Sequence, residues 1–230
     1  MDLKIKDVAE LLNVSETTIR RWLGEGKIPA YRINGQYRFS RGEIENWVMS
    51  HKLTHQPITT FEADPDEVLP GKKGSKQFSL YRAIHKGGVI TKAVGNTKEA
   101  VIRNATAEIA KRLHLDADVI ADLLMDRENM QPTALNRGVG IPHTRDFLLN
   151  AHQDIVTVVF PQHPIEYGAL DGKPVHTLFF LFASEDKRHL HLLAKIAHLC
   201  SQPETITFLQ SRPSKEALLE HIKNWETPLN

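Results

Sequence analysis

The sequence predicts an α/β protein: a C-terminal domain with a mixed β-sheet flanked by helices, preceded by a small helical head carrying a β-hairpin. Three observations predict it. Ile155–Phe160 and Thr177–Ala183 are near-continuous apolar runs, as expected of central strands covered on both faces. Segments with helical spacing lie before and after these runs, the interleaving that builds α/β domains. The first fifty residues hold two short amphipathic segments and an Asn-Gly turn, set apart from the rest by a polar stretch rich in Pro and Gly.

Ile5, Val8, Ala9 and Leu12 fall on one helical face. Asn13-Val14 breaks that pattern, and Ser15 is placed to cap a second helix over Glu16–Leu23. Ile19, Trp22 and Leu23 point inward in that helix, which leaves Thr17, Thr18, Arg20 and Arg21 mostly outward. Gly24 and Gly26 end it. Two such helices joined by a short turn make a helix-turn-helix unit, whose second helix can enter the major groove of double-stranded DNA. Arginines and small hydroxyl residues there suit phosphate and base-edge contacts. Asn34-Gly35 between alternating segments predicts a type I′ hairpin with Arg32, Gln36 and Arg38 exposed near its tip, as in a DNA-touching wing. Ser40 and Glu43 form a capping box for a third helix with Ile44, Trp47 and Val48 on its inner face.

Residues 3 to 50 resemble the excisionase-type, MerR-like winged helix-turn-helix DNA-binding domain. The matching features are Val8-Ala9-Glu10-Leu11-Leu12-Asn13-Val14-Ser15, Thr18-Ile19-Arg20-Arg21-Trp22, Gly26-Lys27-Ile28-Pro29-Ala30 and Tyr37-Arg38-Phe39. Residues 1–55 hold nine Lys and Arg against seven Asp and Glu, a net of +2. DNA affinity should therefore rest on a few placed side chains and on a homodimer rather than on bulk charge.

The head is assigned to residues 1–51 and a flexible linker to 52–77, where Pro57, Pro65, Pro70, Gly71 and Gly74 interrupt any apolar periodicity. A tether of about 25 residues spans roughly 25–30 Å, so the two domains can touch without having to. An α/β domain follows over 78–230. After short apolar stretches in 78–95, Asn96-Thr97-Lys98-Glu99 caps a long helix with Val101, Ala105, Ile109 and Leu113 inward. A second helix starts near Ala117 with Val119, Ile120, Leu123 and Leu124 inward and ends in Asp126-Arg127-Glu128-Asn129. Two more, roughly His189–Cys200 and Lys215–Asn224, close the chain.

Between these elements lies the stretch Asn136-Arg137-Gly138-Val139-Gly140-Ile141-Pro142-His143-Thr144-Arg145. Proline cannot donate to a sheet ladder, which places His143 at the mouth of a sheet rather than inside a core. A neutral imidazole in that position is a competent nucleophile for a phosphoryl group.

From about Phe78 to Ile222 the chain resembles the type-2 EIIA domain of the bacterial phosphoenolpyruvate-dependent phosphotransferase system, in its nitrogen-regulatory (PtsN-like) and fructose/mannitol branch. The most specific marker is Gly138-Val139-Gly140-Ile141-Pro142-His143. Arg127-Glu128-Asn129-Met130, Ala169-Leu170-Asp171-Gly172-Lys173-Pro174-Val175 and His189-Leu190-His191-Leu192-Leu193 support it in order and spacing. The resemblance implies that His143 is the phosphorylated residue, that His189 lies beside it, and that Arg127 complements the phosphate. It implies a phosphate loop of Thr133, Asn136, Arg137, Gly138, Gly140, Thr144 and Arg145. The glycines are expected to let a partner's phosphohistidine approach closely, and Arg137 and Arg145 to add positive charge. Thr144 departs from the usual Gly after the active His, Pro132 from a small residue, and Asn136-Arg137 from a glycine-containing pair. That bulkier rim is expected to narrow the choice of donor.

With 230 residues, a net charge of +1 and one cysteine, Cys200, the chain has no global polyanion-binding character and no internal disulfide. Its longest apolar run, Leu178–Ala183, is too short to cross a bilayer, and the N-terminus lacks a signal-peptide core, so a cytoplasmic protein without a membrane partner is expected. His189, His191 and His198 lack the two-His spacing of a helical metal site, so neither metal nor other cofactor is expected. The two motif sets together imply a DNA-binding regulator that accepts phosphate on His143 from an HPr- or NPr-like phosphocarrier. The alternatives are an EIIA phosphocarrier relaying to an EIIB protein, and a phosphorylation-dependent protein-interaction hub; whether the chain acts as an enzyme is left open.

Overall fold

A computed structural model describes residues 2–12, 14–51, 79–144 and 154–227. The expected linker and Arg145 lie outside the described residues.

The head contains β1 (Asp2–Leu3), α1 (Ile5–Leu12), α2 (Glu16–Gly24), β2 (Tyr31–Ile33), β3 (Gln36–Ser40) and α3 (Arg41–His51). Ser15 caps α2 as expected, its Oγ accepting from the Thr18 amide at 3.1 Å. Both turn residues of the wing have positive φ, 49° at Asn34 and 76° at Gly35, the type I′ requirement that only such residues meet cheaply. Three antiparallel strands in the order β1-β3-β2 back the helices. Val8, Ile19, Trp22, Phe39, Ile44 and Val48 fill the core between them.

The α/β body comprises α4 (Ser79–Gly87), β4 (Val89–Ala93), α5 (Lys98–Leu113), α6 (Ala117–Met130), β5 (Ala134–Leu135), β6 (Val139–Gly140), β7 (Ile155–Pro161), β8 (Thr177–Phe182), α7 (Asp186–Leu199), α8 (Pro203–Gln210) and α9 (Lys215–Glu226). Its sheet is mixed, in the order β4-β7-β8-β6-β5, with β4–β7 and β6–β8 parallel and β7–β8 and β5–β6 antiparallel. Every residue of β7 and β8 is buried, which is why their sequences show no polar alternation. Val156, Val158, Phe160, Phe179 and Leu181 face the core shared with α4, α7, α8 and α9. Ile155, Val159, Leu178, Phe180 and Phe182 face that of α5 and α6.

Four details differ from the sequence reading. The short apolar stretch after residue 78 is a helix, α4, burying Leu80, Ala83 and Ile84. Helix α7 begins one turn before His189, and α8 had no apolar periodicity strong enough to predict it. Val119, expected inward, is 53% exposed. The buried face of α6 runs through Ile120, Ala121, Leu124, Arg127 and Glu128, and Val119 lies a further 100° around the helix on the solvent side.

Head and body are packed together. Helices α1 and α3 both lie against α7. Ala194 of α7 joins the head's apolar core, while Leu11 and Met49 of the head join the body's.

Candidate functional site

The β5–β6 hairpin delivers the histidine. Its loop is Asn136-Arg137-Gly138, with Arg137 at φ 68° and Gly138 at φ 79°. A left-handed arginine is uncommon, and this one is clamped along its length. Its amide donates to Asp171 Oδ2 at 2.7 Å, its guanidinium to the Ser201 carbonyl at 2.9 Å, and its own carbonyl accepts from His176 Nε2 at 3.1 Å. The Arg137 charge, expected beside the phosphate, is thus committed to the C-terminal end of α7. His176 also fills the space over Gly138, where an added Cβ would stand 2.5 Å from the ring. Over Gly140 a Cβ would meet Leu178 at 2.8 Å. The two glycines therefore serve close packing within this chain.

Past β6 the chain continues beside β8. The Leu181 amide donates to the Pro142 carbonyl at 3.0 Å, and His143 makes a parallel bridge to Leu181. Proline costs nothing here because the ladder takes its carbonyl and not its missing N–H. His143 Nδ1 lies 2.7 Å from the Ile141 carbonyl. A carbonyl only accepts, so Nδ1 carries the proton and the lone pair of the neutral ring resides on Nε2. That nitrogen is the nucleophilic one.

His189, on the first turns of α7, places its ring edge-on to His143 with centroids 5.2 Å apart. Arg127, near the C-terminal end of α6, donates to the Gln131 carbonyl at 3.0 Å. The next residue, Glu128, organises the segment between α6 and β5. Its carboxylate accepts from the Thr133 amide at 3.0 Å and the Thr133 hydroxyl at 2.6 Å, with Tyr167 hydroxyl at 3.3 Å and Lys98 Nζ at 3.5 Å. Thr133 is thereby a buried structural anchor, whose carbonyl also accepts from the Ile141 amide. Asn136 is half-buried in the loop and Thr144 is buried. Burial and the adjacent Glu128 charge push the Tyr167 hydroxyl well above its ordinary pKa, so it stays protonated and donates to the Glu128 carboxylate. The bracing roles of Glu128 and His176 escaped the sequence reading, since nothing local marks a carboxylate or imidazole that braces a loop from another element.

The sheet mouth is not open. His143 and His189 are 0% and 1% exposed. Helix α3 of the head lies against His189 and Arg127, with Glu45 Oε1 4.0 Å from His189 Nε2 and Asn46 Oδ1 3.5 Å from Arg127 Nη2. Arg41 holds Glu45 at 3.1 Å and also bonds Asp186 in the first turn of α7. His143, expected at the mouth of a sheet rather than inside a core, is buried, and the head packs on its neighbour His189. The other surface of the head stays outward: Thr17, Arg20, Arg21, Arg32 and Gln36 are exposed, and Thr18 and Arg38 half-exposed. Arg32 bonds the Tyr37 hydroxyl at 2.7 Å and Arg38 bonds Gln36 at 2.8 Å, which orders the wing without covering it.

Among the described residues no helix is long and apolar enough to cross a membrane. Residues 3–52 match a helix-turn-helix domain family. A nitrogen regulatory protein of Pseudomonas aeruginosa is 31% identical over 146 residues, 62% of this chain and 94% of that protein. The transcriptional repressor DcmR of Methylorubrum extorquens is 44% identical over 73 residues, 31% of this chain and 27% of that protein. The crystal structure of nitrogen regulatory protein IIA-Ntr from Neisseria meningitidis superposes with a TM-score of 0.53 at 24% identity, over 62% of this chain and 94% of that one, and so shares the fold. Residues 82–225 match the EIIA 2 family of the phosphoenolpyruvate-dependent sugar phosphotransferase system, and the chain belongs to that family, with a helix-turn-helix domain at its N-terminal side.

Proposed function

We propose that this chain is a DNA-binding regulator whose state is set by phosphate on His143. The observation that carries the reading is the packing of a winged helix-turn-helix head against an EIIA-type histidine site within one chain. The donor is a phosphohistidine carrier of the phosphotransferase system. Nε2 of His143 attacks the phosphorus, a new N–P bond forms, and the donor's N–P bond breaks with its electron pair returning to the donor imidazole. The proton stays on Nδ1 throughout, donated to the Ile141 carbonyl. Such transfer is loose in its transition state, so alignment and charge matter most. His189 orients the acceptor ring, and Arg127 complements the phosphoryl oxygens. Thr17, Thr18, Arg20 and Arg21 meet the major groove, and Arg32, Gln36 and Arg38 the flanking backbone. The likeness to a transcriptional repressor supports this half of the reading.

The test combines purified general phosphotransferase proteins, labelled phosphoenolpyruvate and gel retardation. Label should enter the wild type and not His143→Ala, and phosphorylated and unphosphorylated protein should differ in DNA affinity. Equal affinities, with His143→Ala also silent, would sink the switch. A second reading, relay of the phosphate to an EIIB protein, is favoured by the family match alone and would show as transfer of label onward from His143.

A further inference from the structure

We infer that the outer face of α3 is a second interaction surface of the head, made to close over unphosphorylated His143, so that the head and the phosphate donor compete for one site. The inference rests on the reading of His143 as a phosphoryl acceptor and adds what controls access to it.

In a winged helix, α3 needs only one buried face, and Ile44, Trp47 and Val48 supply it within the head core. Here the opposite face is buried too. Glu45 is 0% exposed and Met49 8%, the latter packed in the body's core cluster. Buried carboxylates are retained only where partners compensate their lost hydration. For Glu45 these are Arg41 of its own helix and His189 of the body, and Arg41 reaches on to Asp186. One residue along, Asn46 meets Arg127. Consecutive residues of one helix thus contact two of the three groups assigned to the phosphoryl site, and the third, His143, lies edge-on to the first of those two. Apolar contacts continue this match, with Ala194 of α7 seated in the head core and Leu11 of α1 in the body core.

Two consequences follow from geometry and charge. A donor must bring its own phosphohistidine into line with His143 Nε2, and that ring is fully buried while α3 sits on its neighbour His189 and on Arg127. Once formed, the phosphohistidine adds roughly two negative charges to a site whose His189 already faces the Glu45 carboxylate. Both effects drive α3 away. Arg127 is then released from Asn46 to the phosphate. Because Thr17, Arg20, Arg21, Arg32 and Gln36 stay exposed in the closed form, the closure controls the phosphate site without blocking the DNA face.

The experiment reads closure without needing phosphate. Full-length protein is treated with diethyl pyrocarbonate, which acylates accessible neutral imidazoles, and His143 and His189 are followed by mass spectrometry. Ala194→Arg from the body side and Met49→Asp from the head side each open the interface without touching the phosphoryl residues, with circular dichroism confirming the fold. His143 should be modified at least tenfold faster in either opened variant, and label from phosphorylated carrier should enter it faster as well. Equal modification in the wild type and in a folded opened variant overturns the closure. Protection in the wild type with equal phosphorylation rates overturns the competition. If protection is lost in the variants but neither they nor the wild type take label, the closure stands and the phosphoryl-acceptor reading fails.

Discussion

The head shows two outer surfaces of opposite treatment. The surface of α2 and the wing keeps its arginines in solvent, paired only with neighbours such as Glu16, Tyr37 and Gln36. The α3 surface turns Arg41 and Glu45 to another domain, where Arg41 meets Asp186 and Glu45 faces His189. Exposed pairs of the first kind are worth little to stability, whereas removing one partner from a buried pair leaves a charge uncompensated. The first surface is therefore free to be altered for an external ligand, and the second is coupled to the body.

The largest effect that would break this contrast lies in DNA binding. Arg20→Ala with Arg21→Ala should weaken retardation by at least tenfold at low salt, about 1–3 kcal/mol per contact, while the melting midpoint barely moves. A large stability loss, with DNA affinity intact, would erase the distinction between the surfaces. Met49→Ala should show the reverse pattern: about 2–3 kcal/mol of urea-measured stability in the full chain, with DNA affinity moved by less than tenfold and in the direction that phosphorylation moves it. Glu45→Gln keeps the shape and removes the charge facing His189. The phosphorylated variant should then open less, by roughly 1 kcal/mol, a factor of about five in the open population. Acylation of His189 in the phosphorylated form measures it, and an unchanged opening would remove Glu45 from the mechanism.

A smaller effect sharpens the description of the loop. Burial chiefly, with the Arg212 charge in addition, lowers the His176 pKa below its ordinary value, although its bond to the Arg137 carbonyl works the other way. His221 is lowered by burial too. The unfolded chain then takes up these protons first, so the stability they confer is complete above about pH 6.5 and is lost as pH falls toward the lowered folded values. His176→Gln should flatten the dependence of the urea midpoint between pH 7.5 and 5.5. A slope identical to that of the wild type would mean that His176 does not titrate as a brace of the Arg137-Gly138 turn.

The frame of this molecule was legible because its signals are local or periodic. Ser15 three residues before Thr18, Asn34-Gly35 between strands, Thr97 ahead of α5, and two apolar runs each specify an element with no knowledge of the rest. The candidate site was legible as a set of residues and less so as an arrangement. Arg137 read as a phosphate-facing cation, yet its left-handed backbone turns the side chain to Ser201. Gly138 and Gly140 read as clearance, yet His176 and Leu178 occupy the space. The second buried face of α3 was invisible for a plain reason. Arg41, Glu45 and Asn46 are polar, and polar residues at helical spacing read as a solvated face unless their partners are known. Those partners are contributed by α6 and α7, some 80 to 145 residues away.

Helix α3 over His189 and Arg127 also fixes a thermodynamic sign. If phosphate and docked head exclude one another, reciprocity requires that the free energy released on docking be given back when His143 is phosphorylated. The phosphohistidine then sits higher by that amount than it would in the same domain without a head. Its group-transfer potential is raised, and the phosphate returns to a carrier more readily. How long His143 stays charged is on this account written partly in a helix of the DNA-binding domain.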